Sequence, residues 1–168
     1  MVGGTFSPLH AGHRALISKA FEIADRNGHV TIGLTSDTFA GSKTHPIEPF
    51  AERKERLVQF IQQSELSASY HIEILHDRFG TTLTTHFDAL VVSEETYPVA
   101  KEINAERHSL HQPCVEIHQI SCVRAEDGKW ISSTRIWKGE IDIEGKMKNV
   151  GNKTDSMNKT KEKDDSTF

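Results

Sequence analysis

The stretch that most constrains this chain is its beginning, Met1-Val2-Gly3-Gly4-Thr5-Phe6-Ser7-Pro8-Leu9-His10-Ala11-Gly12-His13, which runs straight into a helix-period pattern from Arg14. An apolar start, two glycines, a loop holding Pro8 and then apolar residues at helical spacing read as strand, tight turn and helix. Gly3 and Gly4 lack side chains, which leaves room for a ligand directly against their backbone. Gly12 and His13 fall where the helix opens, and there free N–H groups and the positive end of the dipole favour an anion. His10 and His13 lie three apart across the turn, so both imidazoles reach one phosphate. Glycine-rich turns are common and the chain holds 10 histidines, so this stretch alone leaves phosphate chemistry and coincidence both open. It is neither a Walker loop nor a dinucleotide fingerprint, because the Gly-Lys-Ser/Thr and the third glycine are missing.

The run Gly4-Thr5-Phe6-x-Pro8-Leu9-His10-x-Gly12-His13 resembles the His/Thr-x-Gly-His signature of the nucleotidyltransferase superfamily. Within it, the pattern is most similar to the phosphopantetheine adenylyltransferases of the archaeal and eukaryotic type. Members of that family normally carry several more residues before the two glycines, so either the first strand is short or the true start lies upstream.

Length and composition set the frame. A chain of 168 residues is enough for one domain with a real core. A net charge of −4 offers no electrostatic case for nucleic acid as a partner. Cys114 and Cys122 are too far apart for a CxxC motif and sit in an apolar segment, so they read as buried thiols in a reducing compartment. No apolar run approaches membrane-spanning length and no signal peptide is visible, so no membrane is implied and the cytoplasm is the expected location.

Along the chain, residues 13–27 read as a helix closed by Asn27-Gly28, and 30–36 as a buried strand. Ser36-Asp37 begins a short turn. Residues 41–49 form a polar loop with Pro46 and Pro49, and it holds Lys43 at the carboxyl end of a strand, where α/β folds bind ligands. Residues 50–63 form a helix with Phe50, Leu57, Val58 and Ile61 inward, and Glu52, Arg53, Lys54, Glu55 and Arg56 as a solvated face. A strand over 70–76 leads to a loop over 77–85. Residues 87–93 are the clearest buried strand and run into Glu94-Glu95-Thr96, with Pro98 in the first turn of a helix reaching about residue 110. A strand over 114–120 follows. Ser132-Ser133-Thr134-Arg135 opens a short helix and offers a cap and hydroxyl donors at one anion-sized site. From residue 150 onward the chain has almost nothing to bury and reads as a disordered polar tail, leaving 1–149 as the single domain. His45, His71, His76, His86, His108, His111 and His118 have no ligand spacing and read as surface or core residues.

Alternating strands and helices predict an α/β fold, a Rossmann-like doubly wound parallel sheet. The resemblance implies adenylyl transfer from ATP to 4′-phosphopantetheine, giving dephospho-coenzyme A and pyrophosphate. It implies His13 and His10 at the α-phosphate, Lys43 on both phosphates, Thr5 on the attacking phosphate, and Gly4, Phe6 and Gly12 among the residues that bind substrate and ATP. Val91-Val92-Ser93-Glu94-Glu95-Thr96 matches the family's segment around the nucleoside. Ile131-Ser132-Ser133-Thr134-Arg135 matches the motif that grips the β- and γ-phosphates. Two departures stand out. Arg78 and Thr81 replace the prolines of the family's Asp-Pro-Tyr/Phe-Gly-Pro-Thr loop, and Trp137 stands where the superfamily often has arginine, leaving Arg135 or Lys138 to supply that charge. Magnesium is expected on the nucleotide phosphates, with no protein metal cage. Cytidylyl transfer to glycerol or choline phosphate, adenylyl transfer to nicotinamide mononucleotide and a non-catalytic nucleotide-binding module remain open alternatives. A class I aminoacyl-tRNA synthetase shares the His-x-Gly-His theme, but this chain lacks a lysine-rich second signature and an anticodon-binding region.

Overall fold

The computed structural model describes residues 1–41 and 45–148. Lys43 and the polar tail therefore lie outside the described residues. Strand β1 (Val2–Gly4) leads into helix α1 (Ala11–Ala24), and β2 (His29–Thr35) into the short α2 (Asp37–Ala40) and then α3 (Phe50–Gln63). Strand β3 (Ser69–Leu75) is followed by a 3-10 turn (Gly80–Leu83). Then come β4 (Ala89–Ser93), α4 (Tyr97–Ser109), β5 (Glu116–Ile120) and α5 (Ser133–Trp137).

Among the described residues the five strands are all parallel, in the order β3-β2-β1-β4-β5, with Gly3 opposite Gly33 and Val2 opposite both Ile32 and Val91. This is the doubly wound arrangement expected. The chain runs outward to β3 and then crosses back to β4, so the two halves diverge at β1 and β4 and a crevice opens at their carboxyl ends.

Burial on both faces follows from that topology. Val30, Ile32, Leu34 and Val91 pack with Leu16, Ile17 and Phe21 of α1 and Leu57 and Ile61 of α3. On the other face Leu90 and Val92 pack with Ala100 and Ile103 of α4. A third small cluster, Ala125, Ile131 and Ile141, closes over Ala11 at the start of α1. Among the described residues no helix is long and apolar enough to cross a membrane.

Three expectations are corrected. Helix α1 ends at Ala24, before Asn27-Gly28, because Asp25 leaves the helical region at a positive φ (53°, with ψ −173°) and its own N–H closes the last turn on the Phe21 carbonyl. Cys114 is exposed and Cys122 half-buried, since the strand expected over 114–120 pairs only from Glu116. Arg53, assigned to a solvated face, is fully buried. It shares the inner stripe with Leu57 and Ile61, at successive spacings of four.

Candidate active site

A cavity of about 700 Å³ opens at the carboxyl ends of β1 and β4 and continues along the sheet face covered by α4. Its lining includes Gly4, Thr5, Phe6, His10, Gly12 and His13 from the first turn, Ser93 and Glu95 after β4, and Ser132, Ser133 and Thr134 at α5. Residues 110 and more apart in sequence thus converge on one space. Glu94 and Arg135 do not line it. The guanidinium of Arg135 donates to Asp127 (2.6 Å), Glu140 (2.9 Å) and the Trp130 carbonyl (2.9 Å), and its hydrogen bond to the Glu140 carboxylate leads the effects that raise its pKa.

The start of α1 is capped by its own histidines. His10, the N-cap, accepts at Nδ1 from the His13 N–H (3.3 Å), and the two rings stack with centroids 3.6 Å apart. That bond leaves the neutral His10 proton on Nε2, available as a donor. Burial foremost, then the charge of Arg14, pulls the His10 pKa down to about 4, so the ring is neutral at ordinary pH. His13 Nδ1 lies 3.1 Å from the Pro8 carbonyl, and the Phe6 ring edge packs against the imidazole at 5.2 Å. The Phe6 backbone sits at φ 52°, an uncommon conformation for a bulky residue.

The expectation of free backbone donors at this helix end is narrowed. The Ala11 N–H goes to the Ile143 carbonyl (2.9 Å), that of His13 to His10, and that of Arg14 to the His10 carbonyl (3.0 Å). Gly12 remains, and it lines the cavity. The glycines also serve the protein before any ligand. A Cβ on Gly4 would lie 2.9 Å from the Phe6 ring, one on Gly3 would touch Leu75 at 3.4 Å, and one on Gly12 would meet the His10 ring at 3.1 Å.

Behind the turn lies the residue that sequence reasoning missed. Arg53 donates to the Thr5 carbonyl (3.1 Å), the Thr35 carbonyl (2.9 Å), the Glu48 carbonyl (2.7 Å) and the Asp37 carboxylate (2.8 Å). It ties the ends of β1 and β2 to α2 and to the start of α3. Thr5 in turn accepts from the Thr35 hydroxyl at 3.2 Å. His45, expected at the surface or in the core, lines the cavity and stacks near Trp137 at 6.3 Å. No periodicity announces it, because it sits in a proline-broken loop.

Taken together these features describe a histidine-capped turn at the switch point of a doubly wound sheet, the place where folds of this build bind their ligands. A family model described as cytidylyltransferase-like matches residues 1–139. The phosphopantetheine adenylyltransferase of Methanosarcina acetivorans is 51% identical over 148 residues, covering 88% of this chain and 94% of that protein. The enzyme of the same name from Archaeoglobus fulgidus is 41% identical over 144 residues, covering 86% of this chain and 95% of that one. Among solved structures, a protein of unknown function from Archaeoglobus fulgidus superposes with a TM-score of 0.64 at 36% identity, covering 72% of this chain and 98% of that one. The chain belongs to the cytidylyltransferase-like family and, within it, to the archaeal phosphopantetheine adenylyltransferases.

Proposed function

We propose that the chain transfers the adenylyl group of ATP to 4′-phosphopantetheine, forming dephospho-coenzyme A and pyrophosphate. The observation that carries this reading is identity of 41–51% along nearly the whole length of archaeal proteins bearing that enzyme's name. It favours phosphopantetheine over glycerol phosphate, choline phosphate or nicotinamide mononucleotide as acceptor, and an enzyme over a binding module.

In this mechanism a 4′-phosphate oxygen of the acceptor attacks the α-phosphorus of ATP in line. The bond from the α-phosphorus to the bridging oxygen breaks, and pyrophosphate departs with the electron pair. A phosphate monoester is already nucleophilic, so the protein positions the reactants and stabilises charge on the transferring group. His10 offers its Nε2–H as a neutral donor, and His13 donates to the α-phosphate from the adjacent ring. The Gly12 N–H and Thr5 align the attacking phosphate. Ser132, Ser133 and Thr134 hold the departing pyrophosphate, and Arg135 serves them by fixing α5 through Asp127 and Glu140. Lys43 neutralises phosphate charge in this reading.

Magnesium would be carried to the site by the nucleotide phosphates. The hydroxyls of Thr5, Ser132 and Thr134 and the carboxylates of Asp77 and Glu95 that line the cavity are oxygen donors, the class this ion prefers. Bound there, it would draw charge from the phosphate oxygens. We assign the reaction to the cytoplasm, the compartment that supplies ATP.

Pyrophosphate release from magnesium and ATP, measured with and without 4′-phosphopantetheine, tests the assignment. Release that depends on the acceptor and collapses in His13→Ala supports substrate and mechanism together. A folded protein that binds ATP saturably yet releases nothing refutes the reading.

A further inference from the structure

The segment from Asp77 to Thr85 crosses from the end of β3 to the start of β4 and supplies Asp77, Arg78, Phe79 and Thr82 to the cavity. Facing them from α4 are Val99, Ala100 and Ile103, with Leu75, Leu90 and Val92 on the sheet side. Apolar side chains predominate in this part of the cavity, with Asp77, Arg78 and Thr82 among them. It lies along the sheet face, away from the histidine turn.

The segment has no proline between Asp77 and Thr85, so its backbone is not pre-set by fixed φ angles. Its order comes from hydrogen bonds. Within the segment, Asp77 accepts from the N–H groups of Phe79 (2.8 Å) and Gly80 (2.7 Å), and the Thr82 hydroxyl donates to the Phe79 carbonyl (2.6 Å). From outside, Arg107 of α4 donates to the carbonyls of Thr82 (2.6 Å) and Thr85 (3.3 Å), while its Nε–H holds Pro113 (2.8 Å). Gln112 donates to the Leu83 carbonyl (2.8 Å).

Arg107 is 3% exposed and rests over the Phe87 ring at 5.1 Å. A buried cation held by backbone carbonyls is a costly way to fill space, since an apolar residue of similar volume often serves stability as well or better. What it supplies is geometry. The chain of bonds from Arg107 to the Thr82 carbonyl, and from the Thr82 hydroxyl to the Phe79 carbonyl, sets where Phe79 stands in the cavity wall.

We propose that Arg107 and Gln112 are positioning residues that hold the 77–85 segment as one wall of a slot for the acceptor's pantetheine arm. Neither residue lines the cavity. The proposal rests on the function proposed above, which places phosphates at His10 and His13. The apolar slot is then left for a flexible chain of methyl and amide groups ending in a thiol.

The test uses the full chain, with Arg107→Met, Arg107→Lys and Gln112→Met compared under steady-state conditions, each substrate varied in turn. The expected result is a rise of about tenfold in KM for 4′-phosphopantetheine in Arg107→Met, with kcat and the KM for ATP within about twofold of wild type. Arg107→Lys should recover part of the loss, and Gln112→Met should show a smaller rise of about threefold. A loss of kcat alone, a parallel rise in both KM values, or no change in either methionine variant overturns the proposal. Should Arg107→Met fail to fold, Gln112→Met decides by the same split. Hydrogen exchange at the Thr82, Thr84 and Thr85 amides provides a readout independent of activity, expected to quicken in both methionine variants. Unchanged exchange in both overturns the stay itself. Wild-type protein that releases no pyrophosphate with this acceptor refutes the function, and with it the identity of the slot's occupant, whereas the exchange measurement still reports on the stay.

Discussion

At the turn end of the cavity, the groups that face a ligand come mostly from one short stretch, Gly4 to His13, whose histidines cap their own helix. At the slot end, the wall comes from β3, the crossing segment, β4 and α4, and no motif spans it. Each end is nevertheless braced by a buried arginine donating to backbone carbonyls, Arg53 behind the turn and Arg107 behind the slot. Each donates directly to a residue of the cavity wall, Arg53 to Thr5 and Arg107 to Thr82. The braces differ in one respect: Arg53 also has an ion-pair partner, Asp37, whereas Arg107 has none among the described residues and is held by carbonyls and the Phe87 ring.

The largest expected effect breaks the comparison at the turn. His13→Ala should lower kcat by about a thousandfold while ATP affinity changes little, as expected for loss of one donor to developing charge. Equal losses in binding and turnover would argue against a transition-state role.

Arg53→Met comes next and sharpens the contrast between the braces. It leaves the Thr5, Thr35 and Glu48 carbonyls short of a donor and should cost about 3 kcal/mol of stability in chemical denaturation. Here kcat should fall along with stability, unlike the KM split expected for Arg107. An Arg53 variant with wild-type kcat would show that the two braces do the same job.

Acid sensitivity should also belong to the turn end. The His10 pKa is lowered to about 4 in the fold, against about 6.5 unfolded, so between those values the unfolded chain holds a proton that the native state does not. Stability therefore falls as pH drops through that window, by up to about 3 kcal/mol near pH 4. Denaturation midpoints followed from pH 7 to 4 should show this slope in wild type and a flatter one in His10→Asn. Identical slopes would remove His10 as the cause.

The smallest effect concerns the clasp of α1 to the carboxyl-terminal segment. Arg14 pairs with Glu144 at 2.5 Å, but Glu144 is half exposed, so a double-mutant cycle should give a coupling of only about 0.5 kcal/mol, weakened by salt. A coupling several times larger would mean that this clasp, and not the Ala11–Ile143 bond, holds the turn end closed.

How much of this was legible in advance depends on how local the cause is. The strand–turn–helix unit, the short helix capped by Ser132 and the helix with proline in its first turn all follow from neighbours a few residues apart, and each is present, although α1 runs over 11–24 and not 13–27. The parallel order of the sheet follows from alternating strands and helices, since only crossover connections join such strands. Arg53 is also marked by the pattern, at spacings of four from Leu57 and Ile61, but its charge by itself points to the solvated face. What no stretch of sequence contains is which distant carbonyl a buried donor will meet. That Arg53 finds Thr5, that Arg107 finds Thr82, and that Arg135 turns to Asp127 and Glu140 depends on where packed helices bring long side chains. By itself the sequence determined the family, the fold and the histidine turn, because these rest on short-range spacing. Tertiary structure alone decided which cations brace the cavity and which room the glycines leave to the protein's own rings, because those depend on surfaces that exist only once the sheet has closed against its helices.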